Sequence, residues 1–144
     1  MRINDVLRVK GAEVVTVTPD TTVRQLLQVL AEHGIGAVVV SVDGTSVDGI
    51  VSERDVVRAF AQRGAAVMSE PVTEIYTAQV RTVAPETSLD DVMRLMTEHR
   101  MRHAPVVVDG ALNGLVSIGD VVKSRIDELE TERTALSDYI TTAR

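Results

Sequence analysis

The chain has 144 residues, a formal net charge of −6, no cysteine, and only Phe60, Tyr76 and Tyr139 as carbocyclic aromatics. The missing cysteines exclude a disulfide framework, a thiolate metal site and a thiol nucleophile. No apolar run approaches the ~18–20 residues of a membrane span, and Met1–Asp5 lacks the apolar stretch of a secretory leader, so a cytoplasmic protein without membrane contact is expected. The acidic balance argues against a phosphate-backbone binder and the scarce aromatics against a base-stacking surface, so no nucleic-acid partner is expected.

Ile3, Val6 and Leu7 predict a short helical lead-in, followed by a longer approach over Lys10–Val14. Val14–Thr18 is β-branched and closed by Pro19, which predicts a strand. Thr21 is the expected helix N-cap, and Val23, Leu26, Leu27 and Leu30 form an amphipathic stripe behind it. Ala37–Val42 and Asp48–Ser52 read as strands of a hairpin turning at Asp43-Gly44, with a helix from near Arg54 to Arg63-Gly64. Ala65–Pro71 is a linker, and Val72, Ile75 and Tyr76 predict a second lead-in.

The pattern then starts again. Val80–Ala84 predicts a strand, Thr87 the helix cap, and Leu89, Val92, Met93 and Met96 the stripe. Ala104–Val108 and Asn113–Ser117 form the hairpin through Asp109-Gly110, and a helix starts near Gly119. That last helix continues with Val122, Ile126, Leu129, Leu136 and Ile140, interrupted by Arg133. A partner subunit is the expected cover for this stripe; the alternative is a helix folded back over its own repeats.

Pro19-Asp20-Thr21-Thr22-Val23 matches Pro85-Glu86-Thr87-Ser88-Leu89 at an offset of 66, as do Glu32-His33 and Asp43-Gly44 with their partners. Gly49-Ile50-Val51-Ser52 and Asp55-Val56-Val57 match their counterparts at 65, the single slip falling in a turn. The expected fold is therefore α+β: two β-α-β-β-α repeats packed through their sheets with pseudo-twofold symmetry. The expected boundaries are 1–64 for repeat 1 with its lead-in, 65–79 for the linker and second lead-in, 80–124 for repeat 2 and 125–144 for a helical extension.

No catalytic residue is expected, because no nucleophile-elbow, P-loop or Gly-x-Gly-x-x-Gly motif is present. His99 and His103 stand four apart, but Arg100, Arg102 and Pro105 predict helix end, turn and strand there, so no metal site is expected. Ser-x-x-Asp stands at both strand-to-helix junctions, as Ser52-Glu53-Arg54-Asp55 and Ser117-Ile118-Gly119-Asp120. A hydroxyl beside unpaired helix N–H groups favours an anion, and a carboxylate one turn on can accept two bonds from a vicinal diol, which together suit a nucleotide. A plain capping box explains either copy taken singly.

These residues carry a resemblance to a known family. Val15-Thr16-Val17-Thr18-Pro19, the two Ser-x-x-Asp segments with their preceding strands, and His103-Ala104-Pro105-Val106-Val107 together resemble a tandem pair of CBS domains, a Bateman module, over residues 1 to 124. Met96–His103 and the tail ending Asp138-Tyr139-Ile140 resemble a stand-alone bacterial subgroup with no attached enzyme. The resemblance implies an adenosyl ligand (AMP, ADP, ATP, NAD(P) or S-adenosylmethionine), no required cofactor, two clefts and a homodimer. By position it implies that Ser52 and Ser117 face phosphate and Asp55 and Asp120 hold ribose hydroxyls. Thr16, Val17, Thr82 and Val83 would meet adenine through backbone groups, with Ala37, Val38, His103 and Ala104 lining the base pocket.

The two sites are not expected to be equal. Arg54 stands opposite Gly119, whereas Arg100, Arg102 and His103 stand opposite Gly34, Gly36 and Ala37. A head-to-head packing would bring Arg54 to phosphates held by the second motif. The first copy also has Val39 where the family and Pro105 favour proline. The expected function is a non-enzymatic adenine-nucleotide sensor signalling to an unknown regulated protein. The alternative is a protein-interaction module with vestigial clefts.

Overall fold

The computed structural model describes residues 1–11 and 13–142. Ala12, in the expected long approach, and 143–144, at the end of the expected extension, lie outside the described residues. The elements run α1 (Ile3–Lys10), β1 (Thr16–Val17), α2 (Val23–His33), β2 (Ala37–Val40), β3 (Gly49–Ser52) and α3 (Glu53–Arg63). Two 3-10 turns, Gly64–Ser69 and Val72–Glu74, then lead to α4 (Leu89–His99), β4 (His103–Val108), β5 (Ala111–Ser117) and α5 (Ile118–Thr142). Among the described residues, no helix is long and apolar enough to cross a membrane.

In the first sheet β1 runs parallel to β2 and β2 antiparallel to β3; in the second β4 and β5 are antiparallel. The strand expected at Val80–Ala84 is reduced to one bridge, Val83 to Val106. Repeat 1 pairs Thr16 with Val39 and Val17 with Val40. At the offset of 66 the first of these pairs would be Thr82 with Pro105. A proline has no N–H to donate into a parallel ladder, so only the second pair survives. The other strand ends stand within two residues of their expected positions. Asp109 and Gly110 close the second hairpin with φ of 51° and 78°, as a two-residue I′ turn requires.

The expected N-caps Thr21 and Thr87 are each displaced by one residue. Thr22 Oγ1 accepts from the Gln25 N–H at 3.2 Å and Ser88 Oγ from the Asp91 N–H at 3.1 Å. Thr21 and Thr87 instead receive the lead-ins: Val72 N–H donates to the Thr21 carbonyl at 2.8 Å and Ile3 N–H to the Thr87 carbonyl at 2.9 Å. The lead-ins therefore cross over. Ile3, Val6 and Leu7 are buried with Val83, Leu89, Val92, Met96, Val106 and Val121 of the second repeat. Val67 and Val72 are buried with Val17, Val23, Leu26, Leu30 and Val51 of the first. Of the predicted stripes, Leu27 and Met93 are only partly buried.

Two glycines make this exchange possible. A Cβ on Gly49 would overlap the Tyr76 ring and stand 2.9 Å from the Thr77 carbonyl oxygen; one on Gly114 would stand 2.8 Å from Leu7 Cδ2. Each lead-in thus lies across the third strand of the opposite repeat, close to its Ser-x-x-Asp junction.

Candidate functional site

Where β3 passes into α3, Ser52 is extended at φ −126° and ψ 166° and caps the helix. Its hydroxyl accepts from Asp55 N–H at 3.3 Å, and Asp55 Oδ2 accepts from the Ser52 N–H at 2.8 Å and the Ser52 hydroxyl at 3.0 Å. The capping box is therefore formed. It places Asp55 on the rim of a cleft of about 470 Å³, within the range of small-molecule sites.

The floor of the cleft combines Gly36-Ala37 at the start of β2 with Ile50 and Ser52 of β3. Thr77 and Gln79, from the lead-in that crosses Gly49, and Val80, which follows it, also line the cleft. The α4–β4 turn, His99 to His103, lines the cleft together with the start of α3. Five arginines surround this space: Arg54 and Arg58 from α3, Arg81 from the start of the second repeat, and Arg100 and Arg102 from the turn. Their only carboxylate neighbours on the lining are Glu53 and Asp55. In a chain of net charge −6 this is a concentrated cationic patch, and it favours an anion of more than one charge. The lining holds no Phe, Tyr or Trp, so a planar ligand there packs against Ala37, Ile50, Val80 and Met101.

The backbone at Arg100 is itself informative. It ends α4 in the left-handed region at φ 51° and ψ 37°, where Gly34 ends α2 at φ 61° and ψ 39°. A left-handed residue with a side chain costs about 1–2 kcal/mol, and such costs gather at functional sites. In exchange, the turn presents a guanidinium to the cleft instead of a hydrogen atom.

The second motif has a different environment. Ser117 and Asp120 form the same reciprocal pair, with Ser117 N–H to Asp120 Oδ2 at 2.8 Å and Asp120 N–H to Ser117 Oγ at 3.1 Å. Lys10, at the end of α1, then donates to Asp120 Oδ2 at 2.5 Å and to the Leu115 carbonyl at 2.7 Å. Burial pushes the Asp120 carboxyl up, but the Lys10 ammonium and the Ser117 donors outweigh it and hold the group below the usual carboxylate range. Between the two motifs stands His103, paired across the hairpin with Ser117. Burial, then Lys10 and Arg102, press its pKa below the ordinary value, against Asp120 and Glu53.

The expected site residues are thus divided. Ala37, Ser52, Arg54, Asp55, Arg102 and His103 share the one cleft. Val17, Val38, Val83 and Ala104 bury their side chains in the two cores, because their strands turn those positions toward the helices. Thr16 is paired in β1 and Thr82 is exposed, and neither lies on the cleft lining. Ser117 and Asp120 are outside it as well, Asp120 being held by Lys10. The expectation that Arg54 meets the second motif is also corrected. The second repeat's Arg100, Arg102 and His103 converge on the first motif, while Arg54 stays beside its own. His99 ends α4 and His103 begins β4, so they share no helix face. Lys10, Arg58, Thr77, Gln79 and Arg81 were not foreseen. The lead-ins correspond at an offset of 69, which aligns Lys10 with Gln79, but the crossover gives that alignment its meaning.

Comparison with known proteins bears on this geometry. The CBS domain family profile matches residues 5–62 and again 67–127. The mitochondrial CBS domain-containing protein CBSX3 of Arabidopsis thaliana is 37% identical over 146 residues, covering 96% of this chain and 71% of that protein. The crystal structure of a CBS-domain-containing protein from Agrobacterium tumefaciens superposes with a TM-score of 0.84 at 42% identity, covering 87% of this chain and 99% of the other. A CBS domain protein from Pyrobaculum aerophilum, complexed with AMP, superposes with a TM-score of 0.74 at 28% identity, over 83% and 89% of the two chains.

Proposed function

The chain belongs to the CBS domain family, with two copies in tandem, and on that premise we propose that it is a regulatory module without catalytic activity of its own. It binds an adenosyl nucleotide between its repeats and passes that occupancy, as a homodimer in the cytoplasm, to a partner protein. The observation that carries this reading is the arginine-lined cleft with Asp55 on its rim. Asp55 takes the ribose hydroxyls. Ser52 and the α3 N-terminus, with Arg54, Arg100 and Arg102, take the phosphates. Ala37, Ile50 and Val80 cover the base. The AMP held by the Pyrobaculum protein supports the ligand class.

The charge of the cleft narrows that class. A sulfonium such as S-adenosylmethionine would bring a further cation among five arginines, whereas each added phosphate finds another guanidinium. Occupancy is one nucleotide per chain, because Lys10 already holds Asp120 of the second motif. Phosphates would also bridge Arg54 and Arg58 of one repeat to Arg81, Arg100 and Arg102 of the other. That fixes their relative arrangement and gives a partner something to read.

The test is calorimetric titration of AMP, ADP, ATP, NAD(P) and S-adenosylmethionine into the full chain. Affinity is expected to rise with phosphate number, to fall with salt, and to drop about tenfold for Asp55→Asn, which loses a charged acceptor. A protein that binds none of the five compounds, but is held by a protein partner, would instead establish the interaction module with vestigial clefts.

A further inference from the structure

Nucleoside polyphosphates travel with a divalent cation, so a cleft for them either holds that cation or does without it. Mg²⁺ on a phosphate chain keeps octahedral oxygen coordination, and a protein that accepts the complex supplies one or two carboxylates beside the phosphates. Two carboxylates line this cleft, Glu53 and Asp55, and both are placed for other work. Asp55 Oδ2 accepts from the Ser52 N–H at 2.8 Å and the Ser52 hydroxyl at 3.0 Å, which leaves Oδ1 for the ribose. Glu53 leans back over the start of β2. Its Oε1 stands 3.4 Å from the point a Cβ on Gly36 would occupy, beside Ala37 at the base end of the cleft.

The phosphate end has only cations to offer. Arg54, Arg58, Arg81, Arg100 and Arg102 line it, and a guanidinium keeps its charge at any accessible pH. A divalent cation among them meets repulsion that no nearby carboxylate offsets. His99 and His103 stand at the two ends of the turn that carries Arg100 and Arg102. Among the described residues, however, no three His, Asp or Glu side chains gather as ligands for one ion.

We infer that the cleft takes its nucleotide free of Mg²⁺, the arginines replacing the metal as counter-charge to the phosphates. The inference rests on the nucleotide reading above and names the form of the ligand. Mg²⁺ is then a competitor for the nucleotide. It chelates adjoining phosphates, so it holds ATP most tightly, ADP less and AMP weakly. The gain in affinity with phosphate number therefore belongs to the metal-free nucleotides, and Mg²⁺ removes it from the triphosphate first. Occupancy in the presence of Mg²⁺ reports the nucleotides that the metal leaves free, AMP and ADP above ATP.

The test is calorimetric titration of AMP, ADP and ATP into the full chain, once with EDTA and once with excess MgCl₂. Sodium chloride brings both buffers to one ionic strength, so that screening is the same. With Mg²⁺ the apparent affinity for ATP is expected to fall about 100-fold, the reciprocal of a metal-free fraction of about 1%. ADP should lose less, and AMP should be unchanged. Mn²⁺ serves as a second probe in equilibrium dialysis. Added to the ATP-saturated chain, it should carry ATP away, with no Mn²⁺ retained by the protein. A chain that binds none of the three nucleotides in EDTA would overturn the nucleotide reading itself. ATP bound as tightly or more tightly with Mg²⁺, or one Mn²⁺ retained per bound ATP, would overturn the metal-free ligand alone.

Discussion

Replacing Arg100 by glycine should make the protein more stable and a poorer nucleotide binder at the same time. Arg100 has φ 51° at the end of α4, the same conformation that Gly34 adopts after α2. Relief of a left-handed side-chain residue is worth about 1–2 kcal/mol, less the few tenths to 1 kcal/mol by which glycine loosens the unfolded chain. The net gain is about 1 kcal/mol. For a chain of this size the unfolding entropy is about 0.3 kcal/mol per kelvin, so the melting temperature should rise by about 3 °C.

The same substitution removes one guanidinium from the cleft. A charge-assisted bond to phosphate is worth about 1.5–3 kcal/mol, and the exposure of Arg100 reduces that to about 1 kcal/mol, or fivefold in affinity. Gly34→Ala is the internal control. No atom lies within 4 Å of the added Cβ, so its expected loss of about 1 kcal/mol measures the backbone conformation alone. Differential scanning fluorimetry without ligand and calorimetry with ATP read the two halves separately. A lower melting temperature for Arg100→Gly, or unchanged ATP affinity, would refute the reasoning.

Three further outcomes follow from the same geometry. Lys10→Met deletes a partly exposed ion pair to Asp120 and a bond to the Leu115 carbonyl, at a cost of about 1–2 kcal/mol. Calorimetry should then show a second, weaker nucleotide per chain; stoichiometry fixed at one would mean that Lys10 is not what closes that motif. Gly49→Ala should cost about 1–3 kcal/mol in denaturant titrations, because the Tyr76 ring and the Thr77 backbone stand in its way. Gly114→Ala should cost less, since only the flexible end of Leu7 must yield, and equal losses would argue against the crossed lead-ins.

The third concerns pH. The folded state holds the His103 pKa below 6.5, through burial, Lys10 and Arg102. Between that lowered value and 6.5 the unfolded chain binds the extra proton. Stability from this group is therefore full above about pH 6.5 and is lost as the pH falls toward the folded pKa. Melting curves of wild type and His103→Gln should diverge on acidification, the wild type losing more; parallel curves would mean that His103 is not the responsible group.

The sequence alone determined everything that depends on neighbours a few residues apart. The two amphipathic stripes, the Asp109-Gly110 turn, the Gly64 helix end and the two Ser-x-x-Asp capping boxes are local, so their residues carry their own instructions. The repeat, being a relation of sequence to itself, was legible for the same reason. Even the displaced caps show the limit of that reading: Thr21 and Thr22 are equivalent as local signals, and only the arrival of Val72 at the Thr21 carbonyl separates them.

What tertiary structure decided is which half meets which. Nothing near Lys10 announces that it will reach an aspartate 110 residues away, or that Arg100 and Arg102 will face Ser52 rather than Ser117. Those outcomes come from the exchange of lead-ins, which packs Leu7 against Gly114 and Tyr76 against Gly49. In doing so it carries one chain segment to each Ser-x-x-Asp motif. Two motifs nearly identical in sequence thereby become unlike sites. One faces an open cleft ringed by arginines, and the other is held by a lysine of its own chain.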